Sequence, residues 1–199
     1  MQQKSGKSVK SRVPATEAKR LLIAAAIRLM STTPFSKITV RDVADEAGLN
    51  ASTILRNFNS QEELFVAVTQ ELGWQLLDRS KSLGNKIVIG DPTFRLLAQL
   101  KAWLIGNGVS PSVFIEQYED GLAENVSQRV SELFSLNDRQ TAAYTVIGQL
   151  LAESYSVFLE THPWSQEAIN DAFALIFEFQ KRIPEITKDL GWEEEIHSI

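Results

Sequence analysis

The stretch at residues 39–58, TVRDVADEAGLNASTILRNF, constrains this chain more than any other. Thr39 is a strong N-cap, and Asp42 stands at capping-box spacing while placing negative charge at the positive end of a helix. Val40, Val43, Ala44 and Ala47 recur at helical spacing and give that helix one apolar face. Gly48 can take a positive φ and stop it. Leu49 packs into the turn, Asn50 can cap a second helix, and Ile54 and Phe58 point that helix inward. Ala44 is small where two steeply crossing helices leave little room. Caps and a glycine alone suit any helical hairpin. The full Ala-x-x-x-Gly-Leu spacing on this apolar framework reads as a helix-turn-helix.

The second helix leaves Ala51, Ser52, Thr53, Arg56 and Asn57 without core duty. Small and polar residues at its start suit close approach to a major groove, where helix amides also meet phosphate. Arg56 can pair with phosphate or read guanine. Charge supports this placement. The whole chain is −5, but residues 1–60 hold ten Lys/Arg and four acids, +6, which leaves −11 for the rest. A basic head on an acidic body is the electrostatic footprint of a protein that meets nucleic acid at one end. The competing reading, a merely solubilising basic tail, is weak because the excess adjoins the helix-turn-helix.

On these residues the chain resembles the DNA-binding head of the tetracycline-repressor (TetR) family of transcriptional regulators. The matching pieces are LIAAAIRLM (22–30), PFSKITVRDVADEAGLNASTILRNF (34–58) and NSQEELF (59–65). The departures are Pro34, where the family usually has glycine, Leu55 and Asn57, where it usually has tyrosines, and Gln61, where it often has lysine. Three familiar phosphate contacts are thereby weakened or missing, and Arg41, Arg56 and the basic arm can compensate. The resemblance implies a DNA-contacting set of Lys19, Thr39, Arg41, Asn50, Ala51, Ser52, Thr53, Leu55, Arg56 and Asn57. It also implies a fourth helix that joins head to body and transmits ligand binding as a change in head spacing. The last two long helices then pair with their copies as a four-helix bundle.

The expected fold is all-α: an N-terminal three-helix helix-turn-helix head followed by a larger helical ligand-binding and dimerisation body. Expected domains are a flexible basic arm (1–15), the DNA-binding domain (16–60) and the body (61–199). Thr16 caps a first helix over about 16–31, with Leu22, Ala26, Leu29 and Met30 inward; Phe35 and Ile38 plug the small core. Ser60 with Glu63 makes a capping box for a fourth helix to about Lys81, and Leu64, Phe65, Val68 and Leu72 carry its apolar face. Residues 82–91 break the pattern; Asp91-Pro92 starts a helix ended by residues 106–108; Ser110-Pro111 starts another to about Phe134, interrupted near Gly121. Asn137 and Asp138 open a long helix to about Glu160, with a stripe of Ala143, Ile147, Leu150, Leu151 and Phe158. Ser165 caps the next, to about Arg182, which is apolar nearly all round and therefore either central or covered by a second subunit. The tail with Trp192 and the acids at 193–195 reads as a solvated end.

Candidate interface residues are Ile147, Leu151, Phe158, Phe173, Ile176 and Phe177. Trp74, Trp103, Phe114, Tyr118 and Tyr144 are candidates for a ligand site, with ordinary core packing as the alternative for each. Glu116, Glu119, Asp120 and Glu124 share a helix and are either a solvated face or, turned inward, a site for a cation. Catalysis has little support. His162 and His197 lie in a loop and the tail, cysteine is absent, and no zinc, phosphate-loop or nucleophile-elbow motif occurs. No cofactor or metal is expected. The apolar run at 21–27 is too short for a signal peptide and meets Arg28, and no stretch is long enough for a membrane span. The expected location is cytoplasmic. The expected partners are a near-palindromic double-stranded operator, a small-molecule effector and a second copy of the chain. The alternative is a helical interaction protein with a degenerate, non-specific head.

Overall fold

The computed structural model describes residues 13–83, 91–117, 121–158 and 161–192, and all their side chains except those of residues 83, 117 and 177. These residues form helices and turns with no strand among them. The chain divides into two compact units, one ending at Phe65 and one beginning at Val66. The basic arm through residue 12, residues 84–90, Tyr118, Glu119, Asp120, the side chain of Phe177, the acids at 193–195 and His197 lie outside the described set.

The first unit holds α1 (Ala15–Met30), a 3₁₀ turn (Phe35–Lys37), α2 (Val40–Glu46), α3 (Ser52–Phe58) and the first turn of α4 (Gln61–Leu83). Leu22, Ala25, Ala26, Ile38, Val43, Ala44, Ile54 and Leu64 form its buried core. The alanines matter because α1 packs against both α2 and α3, and methyl groups allow that close approach. The α2 start is a complete capping box. Thr39 Oγ1 accepts from the Asp42 amide at 3.2 Å and Asp42 Oδ2 accepts from the Thr39 amide at 2.8 Å. Its end is a Schellman motif. The Leu49 amide reaches the Ala44 carbonyl at 2.8 Å and the Gly48 amide the Asp45 carbonyl at 3.1 Å, with Gly48 at φ +67°.

Three helix starts differ from expectation. Thr16 is not a cap: α1 begins at Ala15 after Pro14, whose carbonyl takes the Ala18 amide at 2.8 Å. Asn50 does not cap α3 with its side chain. The turn is closed by main-chain carbonyls instead, Asn50 accepting from Thr53 at 2.8 Å and Ala51 from Ile54 at 3.0 Å. The capping box at Ser60 is half made. Ser60 Oγ accepts from the Glu63 amide at 3.0 Å, but the Glu63 carboxylate accepts from Asn59 Nδ2 at 2.9 Å.

The second unit continues α4 and adds α5 (Pro92–Gly106), α6 (Ser112–Gln117), α7 (Ala123–Phe134), α8 (Asp138–Phe158), α9 (Gln166–Lys181) and α10 (Ile183–Lys188). Asp91 caps α5 as expected, Oδ1 accepting from the Thr93 amide at 2.7 Å. Asn137 and Gln140 cap α8 reciprocally, each side chain taking the other's amide, at 2.9 and 3.0 Å. The 110–134 region is two helices, α6 and α7, with Gly121 at φ +87° between them. α5 and α7 both pack on α8, and the short α10 seats on α8 and α9. Trp192 is no solvated end: its carbonyl accepts from Asn137 Nδ2 at 3.0 Å and Arg139 lies 4.4 Å from its ring centroid.

The long helices α8 and α9 each leave apolar side chains exposed on the single chain. On α8 the buried residues are Gln140, Thr141, Ala152 and Ser156, while Ile147, Leu150, Leu151 and Phe158 are exposed on the single chain. On α9 Leu175 is 73% exposed and Phe179 is also exposed, Phe173 and Ile176 are half-buried, and Gln180 is buried. The α8 stripe, which includes the candidate interface residues Ile147, Leu151 and Phe158, therefore faces away from this chain's own core.

Candidate nucleic-acid interface and body cavity

In the first unit, Ala51, Ser52, Leu55 and Arg56 stand exposed on α3, Leu55 at 56%. Asn50, Thr39, Arg41 and Lys19 are exposed as well. Arg56 is only loosely engaged, Nη2 donating to Thr53 Oγ1 at 3.3 Å. Arg41 pairs at 3.7 Å with Asp45, one turn on, a solvated pair of little energetic weight. Lys19 Nζ sits 5.6 Å from the centroid of the Phe58 ring, which brings the α1 cation to the end of α3. Asp42 is held below the usual carboxylate range by hydrogen bonds from the Thr39 side chain and then the Thr39 amide, so it stays ionised at the α2 N-terminus.

Two residues of the expected contact set are turned inward. Thr53 is buried at 6% and its carbonyl accepts from Asn57 Nδ2 at 2.6 Å. Thr53 is thus a core residue of the head, because the α3 turn that seats Ile54 also carries it inward. Asn57 is half-buried, with its amide nitrogen committed to its own helix. Gln61, where a phosphate-reaching lysine is the family habit, donates from Nε2 to the Ile38 carbonyl at 2.7 Å.

The second unit contains a cavity of about 260 Å³ between α4, α5, α7 and α8. Its walls are mostly apolar, with Leu76, Leu77, Phe94, Leu97, Val130 and Leu133 prominent. Among the described aromatic candidates only Tyr144 lines it. Its ring meets Phe134 edge-on at 5.1 Å, and burial pushes its phenol up to about 12, so it is a neutral group there. Phe114 is buried outside the lining, with Lys101 Nζ 6.0 Å from its ring centroid; Trp74 and Trp103 are half-buried and outside it too. Tyr118 lies outside the described residues. Glu116 and Glu124 are exposed, the solvated reading of the acidic cluster.

The cavity also has a polar wall, which no motif in the sequence marks. Lys101, Glu153, Gln149, Arg129, Ser80 and Thr145 all line it. A signal for Arg129 was present: Val126, Val130 and Leu133 fall at helical spacing, and Arg129 sits inside that stripe. Among the described residues no cluster of three or more His, Asp or Glu is arranged to hold a metal ion. No described helix is long and apolar enough to cross a membrane.

Residues 22–68 match the family model described as bacterial regulatory proteins, tetR family. No curated protein matches the chain. Among solved structures, the chain is similar to the TetR family repressor AlkX from Dietzia sp. strain DQ12-45-1b, implicated in biodegradation of n-alkanes. That likeness is 14% identical, covers 83% of this chain and 97% of the other, and has a TM-score of 0.49. The multidrug binding protein EbrR, solved with imidazole, is 17% identical over 83% and 93%, TM-score 0.48. The fatty acid degradation regulator FadR from Bacillus halodurans is 14% identical over 87% and 96%, TM-score 0.48.

Proposed function

We propose that this chain, a TetR-family DNA-binding transcriptional regulator by its residues 22–68, works as a dimeric repressor released from its operator by a small molecule. The observation that carries the reading is the helix-turn-helix itself. Its turn is closed by the Schellman bonds at Gly48, and the exposed face of α3 presents Ala51, Ser52, Leu55 and Arg56. Two copies would set two such helices into successive major grooves, with half-sites roughly 34–36 Å apart or a multiple of that. Lys19 and Arg41 would neutralise phosphate.

Dimerisation is supported by the apolar face on α8 and α9, where Ile147, Leu150, Leu151, Phe158 and Leu175 are exposed. Exposed apolar helix faces of this kind are typical of association sites. Effector binding is supported by the cavity between α4, α5, α7 and α8. A ligand there acts only if it binds the DNA-competent and DNA-released conformations with different affinity.

A second reading is a helical interaction protein whose head binds DNA without sequence preference. The inward hydrogen bonds of Asn57 and Gln61 favour it, since both side chains are taken from the phosphate side. The deciding experiment selects bound fragments from a random duplex pool at several salt concentrations and sequences them. A palindrome, with affinity falling steeply in salt, supports the repressor reading. Fragments without a shared sequence would replace it with the second.

A further inference from the structure

We propose that the body cavity is built for an acidic ligand, a small and largely hydrophobic molecule whose carboxylate meets Arg129 and Thr145. This deepens the effector reading given above and rests on it.

Three ionisable groups of fixed charge line the cavity: Lys101, Arg129 and Glu153. Two of them answer each other. Lys101 Nζ lies 3.4 Å from Glu153 Oε1, and the same oxygen accepts from Gln149 Nε2 at 3.1 Å. The wall carboxylate is therefore already neutralised and hydrogen-bonded, and a cationic ligand would have to displace Lys101 to use it. Arg129 is in a different position. Its Nη2 donates to the Ser80 carbonyl at 3.2 Å, and its Nη1 lies 3.8 Å from Glu132 Oε2, a carboxylate that is half exposed. Its Nε is buried and meets no partner among the described residues. Thr145 Oγ1, on the α8 side of the same cavity, is likewise buried without a partner.

A buried donor with no acceptor is costly, and a guanidinium cannot escape the cost by losing its proton. A ligand that brings an acceptor to Nε relieves it, and an anionic acceptor also balances the charge. A carboxylate has two oxygens, one for the guanidinium and one for the Thr145 hydroxyl. The neighbouring Tyr144 phenol is neutral and adds no opposing charge. The rest of the lining, from Leu76 to Leu133, asks for a hydrocarbon body.

Two glycines set the shape and provide the control. A Cβ at Gly73 would fall 2.7 Å from Leu122 Cδ2, so the α4 wall admits no side chain there without moving Leu122. A Cβ at Gly148 would meet only Tyr144 Cζ, at an ordinary 3.9 Å, so a larger residue can enter the cavity without backbone strain.

The test is calorimetric titration of the full chain at pH 7 with three eight-carbon probes: octanoate, 1-octanol and octylammonium. Octanoate should bind roughly ten-fold tighter than octanol, as expected of a charge-assisted contact, and octylammonium weakest of the three. Arg129→Gln should bring octanoate down to the octanol affinity and leave octanol unchanged. Thr145→Val, close to the same shape, should weaken octanoate alone. Gly148→Phe should abolish binding of all three while Arg129 stays in place.

Equal affinities for octanoate and octanol, both lost in Gly148→Phe, would keep the cavity as a ligand site and overturn the acidic head. Tightest binding of octylammonium would do the same and point to Glu153. Octanoate binding that survives Gly148→Phe, or no binding by any probe, would overturn the site itself. Release of operator DNA is scored separately in the same titrations: octanoate that binds but does not release DNA leaves the ligand class standing and removes the effector role.

Discussion

Gln61 Nε2 donates to the main-chain carbonyl of Ile38 at 2.7 Å, tying the first turn of α4 to the segment that leads into α2. Ile38 itself is buried, so its carbonyl has few other partners to hand. A side chain that looks like a lost phosphate contact in the sequence is an internal strut of the head. Gln61→Ala should therefore lower the head's stability by about 1 kcal/mol in urea unfolding, the usual cost of stranding a part-buried acceptor. It should weaken operator binding without altering the salt slope, because no charge is removed. Gln61→Lys offers the same carbonyl an ammonium or frees one for phosphate, and in the second case the slope steepens by about one ion. An unchanged unfolding midpoint in Gln61→Ala would show that the strut carries no load.

Arg56 is exposed on α3 and held only by the 3.3 Å bond to Thr53 Oγ1. Arg56→Ala should change stability by less than about 0.5 kcal/mol, as surface substitutions do. It should weaken operator binding at fixed salt by about 1–3 kcal/mol if it reads a guanine, or lower the salt slope by about one if it meets phosphate. Binding that is unchanged in both respects would remove Arg56 from the interface.

The head was legible in the sequence because its signals are local. The Thr39–Asp42 box and the Gly48 turn need only a few neighbouring residues to form, and both are made as the spacing implies. Thr16 and Asn50 differ from expectation because each good capping residue stands close to a turn that main-chain carbonyls close on their own. The burial of Thr53 is not legible in the sequence, because a small polar residue carries no hydrophobic signature and only the packing of α3 shows it. The cavity was not legible, since it depends on how α4, α5, α7 and α8 come together. Aromatic residues are the sequence signal for such a site, while the unpartnered atoms of this lining sit on Arg129 and Thr145. The α8 stripe shows the reverse case: periodicity identifies an apolar face but not which molecule covers it.

Gly48 has φ +67°, and a Cβ added there would meet nothing within 4 Å. Any penalty for replacing it must come from the backbone, not from collision. Gly48→Asn should cost least, Gly48→Ala about 1 kcal/mol, and Gly48→Val more, because a β-branched residue tolerates the left-handed region worst. Chemical unfolding followed by a head-specific probe would give the order. Equal effects of Asn and Val would mean that the turn does not hold its positive φ in solution.

Asp91 links the α5 N-terminus to Arg79 on α4. Burial acts on its carboxyl most strongly and pushes it upward. The hydrogen bonds from Arg79 and the Thr93 amide, with the Arg79 charge, outweigh burial and leave it below the ordinary value. A group with a lowered folded-state value contributes stability above its unfolded value, about 3.9, and loses it as pH falls through the folded one. Asp91→Asn keeps the cap and gives up the ion pair. It should be less stable than wild type by about 1 kcal/mol or less at pH 7, since Arg79 is partly solvated. The difference should close as both proteins are taken into acid below the carboxylate range. A gap that persists at pH 2 would assign the cost to lost packing and not to charge.

Leu150 is 62% exposed on the single chain, beside Ile147, Leu151 and Phe158 on the outward face of α8. Leu150 is mostly exposed, so Leu150→Glu removes little packing within the chain, and an isolated subunit should fold nearly as well with glutamate as with leucine. If two copies bury this face, the carboxylate would be forced into a dry interface without a partner, and the dimer should dissociate by orders of magnitude in affinity. The wild-type melting temperature should rise with protein concentration, as it does whenever association stabilises the folded state. That of Leu150→Glu should be lower and independent of concentration. Sedimentation should give one subunit's mass, and affinity for a two-half-site operator should collapse, since each head then binds alone. A Leu150→Glu protein that still sediments as a dimer would move the interface off this face of α8.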